Sequence, residues 1–125
     1  MNEKTGILAV SHSAKIVQGL QDLVDQVAKS VPAGYVGGLE NGEIGTSFEA
    51  ILKTTAEIDA NVILAFYDLG SARMNLEMVQ EMTAKKLIIT NAPLVEGTYA
   101  AAALLEAGAG LEEVQRQLSE ITITK

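Results

Sequence analysis

Asn61-Val62-Ile63-Leu64-Ala65-Phe66-Tyr67-Asp68-Leu69-Gly70-Ser71 decides the fold. From Val62 to Tyr67 the chain is apolar or aromatic at every position, with no alternation. A strand with one wet face alternates. An unbroken run marks a strand covered on both faces, the usual centre of a parallel sheet. It stops at Asp68, and a helical pattern follows over 72–83. Outward from this strand the chain alternates strand and helix. Residues 5–11 read as a buried strand ending at Ser11-His12-Ser13. A helix over 13–29 follows, with Ile16, Leu20, Leu23, Val24 and Val27 on one face, and Pro32 stops it. A short strand over 34–37 leads into a loop with Gly37, Gly38, Gly42 and Gly45. Thr46-Ser47-Phe48-Glu49 has the spacing of a capping box that opens the next helix. Downstream lie a strand over 86–90 and an alanine-rich helix over 96–107 stopped by Gly108. A short helix over 111–118 follows, and an alternating tail over 121–124 fits an edge strand. The expectation is one α/β domain over residues 1–125, in three layers: a central, mainly parallel sheet with helices on both faces.

Composition narrows the function. The hydrophobic fraction is 48% and the charged fraction 20%, as in a globular domain. No apolar run reaches the ~18 residues of a membrane span, and no signal-peptide pattern opens the chain, so no membrane insertion is expected. With no cysteine and one histidine, a classical structural zinc site is excluded, and neither metal nor cofactor is expected. The lack of cysteine also fits a cytoplasmic protein. A net charge of −7 with 4% aromatic residues argues against nucleic acid as a partner.

In parallel sheets the ligand site lies beyond the carboxyl ends of the strands. Those ends carry Ser11, His12 and Ser13, the loop over 37–47, then Asp68, Gly70 and Ser71, and finally Asn91. A carboxylate beside an imidazole accepts from one ring nitrogen and leaves the other's lone pair outward, as a general base or a nucleophile. Small hydroxyls and backbone amides near helix N-termini suit the oxygens of a phosphoryl group. The set suits a phosphorylated histidine. Asp68 could also merely cap its helix, as Thr46 and Ser47 do theirs, and Arg73 and Lys15 read as solvated surface charges. Other chemistries lack their residues. There is no Gly-x-Ser-x-Gly elbow, no lysine in Gly45-Thr46-Ser47 for a phosphate loop, and no Gly-x-Gly-x-x-Gly after the first strand. The first strand also ends without the acidic residues that a receiver domain needs for magnesium.

Val10-Ser11-His12-Ser13, Gly37-Gly38, Gly45-Thr46-Ser47 and Tyr67-Asp68-Leu69-Gly70-Ser71-Ala72-Arg73-Met74-Asn75 resemble the histidine-phosphorylated subunits (DhaM) of phosphotransferase-system-dependent dihydroxyacetone kinases. Asn91-Ala92-Pro93-Leu94-Val95-Glu96-Gly97 is a weaker match. That family shares its fold with mannose-type IIA domains. Leu69-Gly70-Ser71-Ala72 stands where the transporter branch usually has Gly-Gly-Ser-Pro, which favours the kinase branch. The resemblance implies that a separate HPr phosphorylates His12. Phospho-His12 then passes the group to ADP on the nucleotide-binding kinase subunit, driving dihydroxyacetone phosphorylation. It implies that Asp68 orients the imidazole and that Ser13, Thr46, Ser47, Gly70 and Ser71 contact phosphoryl oxygens. It also implies a homodimer, with helix four and the tail as the suspected surfaces, and a docking rim of Leu39, Leu69, Met74 and Leu94. A mannose-type transporter IIA domain and a phosphorylation-dependent regulatory module are the alternatives. The nitrogen that carries the phosphoryl group is open at this level.

Overall fold

A computed structural model describes residues 4–125. Its elements, in chain order, are β1 (Thr5–Ser11), α1 (Ala14–Asp25), β2 (Ala33–Gly37), α2 (Phe48–Glu57), β3 (Val62–Tyr67), α3 (Gly70–Met82), β4 (Lys86–Ile89), α4 (Leu94–Glu106) and α5 (Leu111–Ser119). The strands form one parallel sheet in the order β2-β1-β3-β4. Side chains of neighbouring strand residues point to opposite faces, so each central strand supplies two cores. Ile7, Ala9, Leu64 and Phe66 pack under α1, α4 and α5 through Leu20, Val24, Ala101, Ala102, Val114 and Leu118. Leu8, Val10, Ile63, Ala65 and Tyr67 pack under α2 and α3 through Ile51, Ala72, Leu76 and Val79. The unbroken apolar run at Val62–Tyr67 is buried at every position because both faces are roofed. The expected three-layer α/β architecture is therefore the one found.

Local boundaries differ in instructive ways. Helix α1 ends at Asp25, before the expected 29, and the chain turns through Val27 and Ala28, both bonded to the Val24 carbonyl. The cap of α2 is Ser47, whose hydroxyl accepts from Ala50 N–H at 3.2 Å. The capping-box spacing from Thr46 is thus one residue out of phase, and Thr46 is free for another task. Helices α3 and α4 each start two residues earlier than the pattern suggests, at Gly70 and Leu94. Gly108 stops α4 as expected: at φ +94 it donates to the Leu105 carbonyl while Ala109 donates to that of Leu104, a Schellman closure. The tail over 121–124 is not a strand. A single backbone bond, Ile123 N–H to the Asn91 carbonyl at 2.9 Å, ties it to the end of β4. Three Lys and Thr positions in the five tail residues 121–125 leave too little apolar surface to bury it as a fifth strand.

Candidate functional site

From β1 the chain crosses over α1 to β2 on one side. From β3 it crosses over α3 to β4 on the other. The crevice between the ends of β1 and β3 is therefore the switch point of the sheet. Val10 pairs with Tyr67 in register, so the residues that follow, Ser11-His12 and Asp68, leave the sheet side by side.

Asp68 is the hub. Its Oδ2 accepts from the Ser11 hydroxyl at 2.8 Å and from the His12 backbone N–H at 2.9 Å. Its Oδ1 lies 2.9 Å from His12 Nδ1 and accepts from Leu69 N–H at 2.7 Å. Burial alone would raise its pKa. The bonds from the His12 backbone and ring, Ser11 and Leu69 outweigh burial and hold it below the ordinary carboxylate value. An ionised carboxylate can only accept, so Nδ1 carries the proton and Nε2 keeps its lone pair. Nε2 lies 2.6 Å from the Ser71 hydroxyl, which then donates to it. The helix-cap alternative for Asp68 fails: the N-cap of α3 is Leu69, with no side-chain cap bond.

The other expected residues take distinct places. Gly45 N–H donates to the His12 carbonyl at 2.9 Å and fastens the glycine-rich loop beside the histidine. Thr46 follows it, and its hydroxyl accepts from Asn75 of α3 at 2.8 Å. The loop and α3 thus flank His12 and are clamped to each other. Ser47 caps α2. Gly70 and Ser71 open the first turn of α3, where backbone N–H groups precede any intrahelical acceptor. Ser13 stands at the N-cap of α1 without a side-chain cap bond, and its N–H goes to the Ser11 hydroxyl at 3.0 Å. Gly37 lets this turn close: a Cβ there would stand 2.4 Å from Val17 Cγ2 and 2.6 Å from the Ser13 carbonyl.

One expectation needs correction and one needs extension. Leu94 is 9% exposed and belongs to the core under α4, so it is no part of a docking rim, whereas Leu69 and Met74 are 58% and 66% exposed. Arg73 is part-exposed, as a surface charge would be, but it is also tied to β3 and to the turn after β4. Its guanidinium donates to the Tyr67 hydroxyl at 3.2 Å and to Asn91 Oδ1, and Tyr67 donates to the same Asn91 oxygen at 2.6 Å. Sequence reading placed Ser11 at this edge but gave it no role, although it is fully buried at the last position of β1, and it missed Lys125. The Lys125 ammonium reaches the Tyr67 carbonyl at 2.6 Å and lies 3.7 Å from the Tyr67 ring centroid. A polar residue closing an apolar strand was the available signal for Ser11. Nothing local signals Lys125. Among the described residues no cluster of three or more His, Cys, Asp or Glu is placed to hold a metal ion, and no helix is long and apolar enough to cross a membrane.

Comparison with known proteins adds lineage to this geometry. Residues 6–115 match the EIIA-man family, described as "PTS system fructose IIA component". The chain is 53% identical over 120 residues to the PTS-dependent dihydroxyacetone kinase phosphotransferase subunit DhaM of Lactococcus lactis, covering 96% of this chain and 98% of the relative. It is 37% identical to the phosphoryl donor subunit DhaM of PEP-dependent dihydroxyacetone kinase 1 of Listeria innocua, covering 98% and 99%. The crystal structure of the unknown-function protein EF1359 superposes with a TM-score of 0.84 at 29% identity, over 98% of this chain and 97% of that one.

Proposed function

Since this chain belongs to the EIIA-man family, and within it to the DhaM phosphotransferase subunits of dihydroxyacetone kinases, we propose that His12 is its phosphoryl carrier and Nε2 the atom that carries the group. One observation supports this most: an ionised Asp68 holds the proton of the only histidine on Nδ1 and leaves the Nε2 lone pair outward.

The chemistry follows from that tautomer. Phospho-HPr presents its phosphoryl group, and Nε2 attacks phosphorus. The N–P bond to the donor histidine breaks, and its electron pair stays on that donor nitrogen. Nδ1 keeps its proton, so the phosphorylated ring is cationic, and the Asp68 carboxylate compensates that charge at 2.9 Å. On discharge an oxygen of the terminal phosphate of ADP, held on the nucleotide-binding kinase subunit, attacks phosphorus. The P–O bond forms, the N–P bond breaks and its pair returns to Nε2. No proton moves in either direction. A loose transition state of this kind needs alignment and charge stabilisation, which rigid donors supply. Ser71 turns its hydroxyl from the lone pair to a phosphoryl oxygen. Gly70, Thr46, Ser47 and Ser13, on the turns that flank His12, complete the cradle with no cofactor. The protein works in the cytoplasm as a homodimer, to which the exposed Val95 and Tyr99 of α4 and Ile121 and Ile123 of the tail offer an apolar surface.

Intact-mass measurement after incubation with phosphoenolpyruvate, enzyme I and HPr tests the reading. One acid-labile phosphoryl group is expected, absent from His12→Ala. Equal labelling of His12→Ala, or none on the wild-type chain beside a labelled control acceptor, would overturn it.

A further inference from the structure

Between the ends of β3 and β4 lies an open cleft of about 440 Å³ lined by Tyr67, Arg73, Asn91 and residues 122–125. Two cations meet there on one aromatic ring: the Arg73 guanidinium carbon is 5.8 Å and the Lys125 nitrogen 3.7 Å from the Tyr67 centroid. Like charges gathered so closely repel unless an anion stands between them. Among the described residues no carboxylate forms an ion pair with Lys125, and Arg73 has only Glu77, at 3.7 Å on its outer side. Desolvation pushes the Lys125 ammonium down to about 8, against the pull of Asp68 and with a smaller push from Arg73. Tyr67 and Asn91 do not neutralise this pair; they aim it. Both hold the Arg73 guanidinium by one of its nitrogens, through the Tyr67 hydroxyl and Asn91 Oδ1. A fork of guanidinium donors held in place, with an ammonium opposite, is the arrangement that receives a phosphate.

We propose that this cleft is an anion seat for the terminal phosphate of the acceptor nucleoside diphosphate, presented by the protein that holds it. The inference rests on the phosphocarrier reading above. The seat is joined to the carrier by covalent structure: Tyr67 precedes Asp68, and Arg73 stands two residues beyond Ser71 on α3. Discharge must bring an anionic nucleotide up to a phosphoryl dianion on a chain of net charge −7. Two local cations offset that repulsion and align the attacking oxygen with the N–P bond. Loading has no such need, because the group arrives on a donor ring protonated at its other nitrogen, which is left behind as a neutral imidazole.

The test separates the two half-reactions in single turnovers. Loading of His12 from phospho-HPr and discharge to the ADP-bound kinase subunit are timed for wild type, Arg73→Gln, Arg73→Lys, Lys125→Gln and the Arg73→Gln/Lys125→Gln pair. The ratio of discharge rate to loading rate should fall roughly tenfold in each Gln variant and further in the pair, and Arg73→Lys should recover part of it. The loss should appear as a weaker dependence on ADP concentration, with the affinity for the nucleotide-free subunit unchanged. Lys125 lies outside both cores and is exposed, so its variant folds regardless of the outcome for Arg73. An unchanged ratio in the pair overturns the seat. So does a loss confined to loading, which would assign the cations to an acidic group of the donor. Failure of the wild-type chain to load would instead overturn the phosphocarrier reading itself.

Discussion

Asp68 accepts two donors on each oxygen: the Ser11 hydroxyl and His12 N–H on Oδ2, the His12 ring and Leu69 N–H on Oδ1. An amide cannot replace it. Whichever end the NH₂ of Asp68→Asn takes, it faces two donors, so either the ring or the backbone loses its acceptor. We expect Asp68→Asn to slow loading and discharge roughly 10–100-fold, the usual cost of losing a residue that orients an imidazole, measured by quenched-flow phosphorylation. The same carboxylate links folding to pH. Its folded pKa is depressed below 3.8. Its stabilisation is therefore present above the unfolded value and is lost as pH falls through the folded one. Melting temperatures of the wild-type chain should drop on acidification below about pH 4, and those of Asp68→Asn should drop less. Equal slopes would show that the carboxylate is not held ionised by the fold. Lys125 gives a second signature. With its pKa near 8, roughly half of its amine is neutral and nucleophilic at that pH. Peptide mapping after brief acylation at pH 8 should find Lys125 modified ahead of the other lysines, and phosphate analogues should slow it.

At the scale of elements, Ser47 shows how a cap and a site share a turn. Its hydroxyl closes α2 by accepting from Ala50, while Gly45 two residues earlier holds the His12 carbonyl. Ser47→Ala should cost about 1 kcal/mol of stability, read by chemical denaturation, and Ser47→Asn should restore most of it. If Ser47 also touches the phosphoryl group, Ser47→Asn should restore stability without restoring loading. Recovery of both together would make Ser47 a cap only. The elements themselves were legible because apolar periodicity and helix stops leave local marks: Val62–Tyr67 and the stop at Gly108 read correctly, whereas of the expected α1 face only Leu20 and Val24 are buried within the helix, Ile16 and Leu23 stand half-exposed, and Val17 faces the core instead. His12 and Asp68 were legible as residues at strand ends. Their partners were less so. Asn75 clamps Thr46 across 29 positions and Arg73 reaches Asn91 across 18, and such side-chain bonds depend on the packing angle of α3, which no local pattern encodes. The tail misled for the opposite reason. Ile121-Thr122-Ile123-Thr124 has the alternation of a strand, but α5 delivers it to the end of β4, where one backbone bond holds it.

Across the whole molecule the apolar layers and the working edge are separate. The two cores lie on either side of the sheet, filled by residues such as Leu64 and Ile63 at 0% exposure. The polar network sits at and beyond the strand ends, and the exposed Leu69 and Met74 lie outside both cores. Sheet topology causes this: the strands place their apolar lengths between helices and release their polar ends at one rim, where β1 and β3 diverge to opposite layers. Stability and transfer should therefore be separable by substitution. Leu64→Ala removes a fully buried side chain from under α1 and α4 and should cost about 2–5 kcal/mol. At about 3 °C per kcal/mol for a chain of this size, its melting temperature should fall steeply. Its transfer rates, measured well below that melt, should stay close to wild type, because no atom of the His12–Asp68 network rests on Leu64. Leu69→Glu should do the reverse. It leaves no cavity and changes melting little, yet it puts a charge on the rim that a transient partner must cover. Both half-reactions should slow at low partner concentration and recover as the partner approaches saturation. Were Leu64→Ala to slow transfer at low temperature as much as Leu69→Glu does, the rim and the core would be one mechanical unit, and rigid placement of His12 at the switch point would have to be traced through the sheet.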